Sequence, residues 1–182
     1  MQLSHIKKLV FTAVCCALSI VLPMAFHAVP NGGNIFLPLH IPVLLCGLIC
    51  SFPYGLICGL IGPLLSCVCS GMPPAAVLPS MMVECAAYGL IAGMMMRLLR
   101  TKSTVADLYI SMIVAMLMGR VLAGLGKALV FTPGTAVIAW VVSSLVTGIP
   151  GILIQLLVMP AVILALTRAH LIPRRYSKED ER

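Results

Sequence analysis

From Leu9 to Leu166 the chain carries seven formal charges, scattered through a succession of apolar runs. That scarcity decides the class of fold. A soluble domain carries roughly 25% charged residues, whereas here 9% of the 182 residues are charged and 61% are hydrophobic. Too little polar surface remains to coat a water-soluble particle. Runs of about 20 apolar residues can each cross the hydrocarbon core as a helix. Backbone in lipid must satisfy its own hydrogen bonds, so only helices or closed barrels span it. The chain shows no ten-residue apolar–polar alternation of the barrel kind. The expectation is an all-α, polytopic membrane bundle forming one domain over residues 1–182. No space is left for a separate soluble domain, and no removable leader is expected, because no small-residue cleavage site follows the first long run.

Six spans are expected, at about 9–29, 36–50, 54–70, 80–99, 105–131 and 149–166. Pro23 should kink the first, Pro38 and Pro42 should break the second near its start, and Gly62-Pro63 should interrupt the third. The last apolar stretch, 135–166, is too long for one span and too short for two. Gly148-Ile149-Pro150-Gly151 divides it. The sixth span then follows the break, and about 132–148 becomes an outer cap lying on the bundle.

The net charge of +7 does not point to nucleic acid. Lys7, Lys8, Arg97, Arg100, Lys102, Arg168, Arg174, Arg175, Lys178 and Arg182 all flank apolar runs. With six spans they all fall on one side, which the positive-inside rule makes the cytoplasm, together with both termini. The three opposite loops contain none. The eight cysteines lie almost entirely within apolar runs and are expected to act as small buried hydrophobes. Neither they nor the methionine runs Met81-Met82 and Met94-Met95-Met96 have metal-ligand company, so no metal site is expected.

Three charges stand inside apolar stretches: Glu84, Arg120 and Lys127. Each costs at least ~2.5–3.5 kcal/mol at membrane depth unless protein, water or ligand compensates it. Arg120 and Lys127 are seven residues apart and share a helix face; Gly124 between them should leave open space. At ~1.5 Å per residue, Lys127 and Glu84 both lie roughly 6 Å below the outer surface and Arg120 about 16 Å below it. Glu84 and Lys127 therefore either pair with each other or face a ligand. Two cations against one carboxylate leave a positive charge over, which favours an anionic group on a substrate. His27, Asn34 and His40 surround the first outer loop and converge on the same mouth. Trp140, in the outer cap, is either an interface anchor or a lid that stacks on a ligand. Ala13-x3-Ala17 and Gly55-x3-Gly59 are small-x3-small patterns that allow close helix approach. There is no Walker motif, no Ser-His-Asp arrangement, no H-E-x-x-H and no paired-carboxylate site. No catalytic residue and no cofactor are expected.

These features together resemble the substrate-binding S component of energy-coupling factor (ECF) vitamin transporters. The resemblance covers nearly the whole chain. It rests on size, six spans, Ala13-x3-Ala17 near the cytoplasmic end of the first, and the run Asn34-Ile35-Phe36-Leu37-Pro38-Leu39-His40-Ile41-Pro42-Val43-Leu44. The Gly71-Met72-Pro73-Pro74 loop and the long segment before the last span add to it. It implies a multi-pass subunit of a prokaryotic cell membrane that captures a vitamin or related micronutrient in an outward-facing pocket. The substrate would be an acidic vitamin such as pantothenate or a folate-like molecule, with a corrinoid or other vitamin left open. It also implies partners: a transmembrane scaffold (T) subunit, onto which Ala13 and Ala17 would pack, and two ATPase subunits. The whole S component would topple in the membrane to release its cargo. The candidate substrate-binding residues are Arg120, Glu84, Lys127, Asn34, His40 and Trp140. Two other classes are compatible with the residues alone: an autonomous ion-coupled secondary transporter with Glu84 as its ion site, and an integral-membrane enzyme or assembly factor.

Overall fold

Proline, glycine and serine set most of the boundaries in the computed structural model, which describes residues 3–26, 32–131, 134 and 136–176. Ser4 caps helix α1 (His5–Ala25) by accepting the Lys7 N–H, and Ser103 caps α6 (Thr104–Gly126) by accepting that of Ala106. Proline occupies the first turn of α4 (Phe52–Ser70), α5 (Leu78–Leu98) and α8 (Ile149–Arg168), where its missing N–H is not needed. Gly71 ends α4 in the left-handed conformation. The remaining elements are the short α2 (Gly32–Phe36), α3 (His40–Cys50) and α7 (Val137–Thr147), and α6 continues into a π-helical turn at Lys127–Phe131. All regular structure among the described residues is helical.

Six segments are long and apolar enough to cross a membrane: His5–Ala25, Gly32–Cys50, Phe52–Ser70, Leu78–Leu98, Thr104–Phe131 and Ile149–Arg168. The second is broken at Leu37-Pro38-Leu39, as Pro38 leads one to expect, and Leu37 takes a left-handed φ of 51° there. Pro42 falls in the first turn of α3 and breaks nothing. Gly62-Pro63 departs from expectation, because α4 runs unbroken through it. A proline inside a packed membrane helix is tolerated when its neighbours hold the flanking turns, and α4 is held on both sides by α1 and α5.

The bundle is built around α3. Val43, Leu44, Cys46, Leu48, Ile49 and Cys50 of this helix are all buried, packed by α1, α4 and α5, with α8 also touching α3. Glycine permits the tightest of these approaches: a Cβ on Gly55, Gly59 or Gly89 would collide with the backbone of the facing helix, so α4 and α5 meet main chain to main chain. On the outer helices the pattern is inverted. Ile6, Leu9, Val10 and Val14 of α1 and Leu153 and Leu157 of α8 are exposed. Large apolar side chains turned outward along a whole helix are the mark of a surface solvated by lipid.

Candidate functional site

The break between α2 and α3 shapes the outer end of the bundle. The Leu37 carbonyl, turned aside by the left-handed residue, accepts a hydrogen bond from the buried Gln155 side chain of α8 at 3.4 Å. This places His40 as the first residue of α3, with Asn34 one turn of chain away on α2. α5, α6 and α7 complete a cavity of about 340 Å³ over these residues. Asn34, His40, Glu84, Arg120, Lys127 and Trp140 all line it, as do Met81 and Ser144. Thus the six residues singled out from sequence converge on a single cavity. His27 lies outside the described residues.

The polar side chains at its base are buried: His40 is 0% exposed, Glu84 7% and Arg120 2%. Glu84 is the hub. Its Oε1 lies 3.4 Å from His40 Nε2 and 3.7 Å from Arg120 Nη1. The same Arg120 Nη1 donates to the Ser144 carbonyl at 3.0 Å, in the last turn of α7. The tyrosine ring of Tyr88 packs 4.8 Å from the His40 ring and fixes it from below. Several polar atoms here lack a hydrogen bond of good geometry: both ring nitrogens of His40, Oε1 of Glu84, Nε and Nη2 of Arg120 and the Tyr88 hydroxyl. Buried polar groups are nearly always satisfied, so this concentration of underused donors and acceptors sets the cavity apart from the apolar bundle around it.

Two expectations change. Glu84 does not pair with Lys127. α5 begins at Leu78, two residues earlier than the sequence suggests, so Glu84 sits ~3 Å deeper and meets Arg120 instead. The π-helical turn begins at Lys127, whose ammonium lies 5.4 Å from the Trp140 ring centroid, a cation–π distance. Nor is Gly124 open space. A Cβ there would stand 3.0 Å from Val141, 3.2 Å from Trp140 and 3.3 Å from Val137, so Gly124 is the seat on which α7 rests.

Three contributors escape a reading based on formal charge. Gln155 and Tyr88 are neutral, though a lone glutamine in the apolar run of α8 is a signal of the same kind as a lone charge. Ser144 contributes through its backbone carbonyl, for which no side-chain signal exists. Ala13 and Ala17 lie far from the cavity on the exposed face of α1.

A family model described as "ECF transporter, substrate-specific component" matches residues 7–163 of the chain. No curated protein and no solved structure matches it.

Proposed function

The chain belongs to the substrate-specific components of ECF transporters, and from that premise we propose that its outer cavity captures a small carboxylate-bearing vitamin or related micronutrient from outside. As a member of the family it is a substrate-binding transport subunit of the membrane, not an enzyme, and it acts together with ECF T and ATPase subunits.

The observation that carries the substrate reading is the charge balance of the cavity lining, in which Arg120 is buried and Lys127 half-buried. Arg120 and Lys127 face one carboxylate, Glu84, and Arg120 keeps Nε and Nη2 unpartnered. An uncompensated charge at this depth costs several kcal/mol, and a ligand carboxylate supplies both the missing charge and acceptors for the guanidinium. His40 and Glu84 then suit a hydroxyl or amide on the same ligand, while Trp140, Met81 and Leu37 supply apolar wall. At about 340 Å³ the cavity stands near the small end of the ~300–1,000 Å³ range of ligand sites. That size supports a molecule like pantothenate over a folate-like one or a corrinoid. Ala13 and Ala17, exposed about the middle of α1, are the surface we assign to the T subunit.

Calorimetric titration of the purified protein with a panel of water-soluble vitamins tests this. One acidic vitamin of pantothenate size is expected to bind without ATP. Arg120→Gln should weaken it about 100-fold, or ~2.7 kcal/mol. The double variant Arg120→Gln/Glu84→Gln, which removes both charges, should fold normally and still bind weakly. No binding of any panel member by a folded sample, or wild-type affinity in Arg120→Gln, would refute the proposal.

A further inference from the structure

The central helix α3 has a cavity at each end. The second lies at the cytoplasmic end, holds about 770 Å³ and is bounded by the start of α1, the end of α3, the last turn of α5 and the segment after α8. Five basic side chains line it: His5, Lys8, Arg97, Arg100 and Arg175. The only carboxylate among the described residues of this side is Asp107, and its oxygens are already taken. Oδ1 accepts from the Thr101 hydroxyl at 2.7 Å and the Thr101 N–H at 3.1 Å; Oδ2 accepts from Arg175 Nε and the Tyr176 hydroxyl, both at 2.6 Å. Arg175 also donates to the Leu99 carbonyl. The segment after α8 is thereby fixed as a wall of the cavity. His5 Nδ1 and the Tyr54 hydroxyl are 2.9 Å apart, and Lys8 Nζ stands 5.7 Å from the same ring, so these two side chains are also held in place. Arg97 and Arg100 form no ion pair among the described residues.

Leu48, Ile49 and Met96, all buried, share the lining with the cations. Next in sequence to its basic residues, Ile6 and Leu9 of α1 and Leu98 of α5 are exposed. A soluble phosphate would have no use for these exposed apolar neighbours, whereas a phospholipid sets its chains against them and its headgroup among the cations. Basic pockets between helices on the cytoplasmic side suit anionic headgroups, each nearby Lys or Arg adding to the attraction.

We propose that this cavity binds the phosphate headgroup of an anionic phospholipid of the inner leaflet, with Arg97 and Arg100 as its principal contacts. The site is separate from the vitamin cavity and independent of what binds there.

The test is thermal unfolding of the full chain in neutral detergent, titrated with phosphatidylglycerol or phosphatidylcholine. Phosphatidylglycerol is expected to raise the melting temperature by several degrees and phosphatidylcholine to leave it unchanged. In Arg97→Gln/Arg100→Gln, whose altered side chains are exposed and form no ion pair among the described residues, the shift should fall by at least half. In Lys7→Gln/Lys102→Gln, basic residues of the same face outside the cavity, it should persist. Equal shifts with both lipids, or equal losses in both double variants, would overturn the proposal by showing diffuse attraction. An equal shift with inorganic phosphate alone would overturn the lipid assignment in favour of a soluble anion. A response that emerges only when Glu179, Asp180 and Glu181 are changed to Gln would overturn it in favour of the chain's own acidic residues.

Discussion

Gly148 stands where Arg120 leaves no space for a side chain. A Cβ at this position would be 2.8 Å from Arg120 Nη2 and 3.0 Å from the Ser144 carbonyl that Arg120 Nη1 bonds. Gly148→Ala should therefore push the guanidinium off its place without disturbing the membrane core. The expected result is about a tenfold loss of ligand affinity, ~1.4 kcal/mol, with little change in melting temperature; calorimetry and thermal unfolding on the same sample check both. Residues such as Arg120 and Glu84 announce themselves in the sequence, because a charge in an apolar run must have a reason. What the sequence does not reveal is who pairs with whom. Glu84 meets Arg120 rather than Lys127 because α5 begins two residues earlier than its apolar pattern suggests, while Lys127 turns to the Trp140 ring. Backbone acceptors such as the Ser144 carbonyl leave no trace in composition at all.

Among the elements, the α4–α5 contact is the most demanding. Gly55 and Gly59 oppose Gly89 and Cys85 so closely that each glycine touches facing backbone. Backbone cannot give way as a flexible side chain can, so Gly89→Leu should cost about 1–3 kcal/mol or more. The expected signature is a lowered melting temperature and reduced yield of folded protein, with the remaining folded fraction still binding ligand. The Gly55-x3-Gly59 pattern was legible beforehand, and its role in packing follows from small residues letting helices approach. The continuity of α4 through Pro63 was not, since the neighbours that hold a proline-bearing helix straight are contributed by distant parts of the chain. The break at Pro38 was visible because there the proline falls near a helix start, with Leu37 turning left-handed before it.

At the scale of the whole molecule, an apolar exterior surrounds a polar base buried at one end, and Ala13 and Ala17 interrupt the bulky surface of α1 with a shallow strip. Widening that strip with Ala13→Trp or Ala17→Trp should abolish co-purification with the T and ATPase subunits and stop uptake, while binding of ligand by the isolated subunit stays at wild-type level. A variant that loses binding as well would locate these residues in the fold rather than at an interface. The class of fold and its six candidate spans were legible from the spacing of apolar runs. The depth and size of the cavity were not, because they depend on how α7 rests on Gly124, a contact between neighbouring but separately folded segments.

α7 reaches over the cavity with Trp140, Ser143, Ser144 and Thr147, yet none of its residues is fully buried. The bundle beneath owes it little stability. An element that lines a cavity without joining the core can change sequence at small risk to folding. Divergence in what such a subunit recognises is therefore cheapest in this stretch, and exchanging Val137–Thr147 between relatives is the natural first step in retargeting one scaffold to a new nutrient.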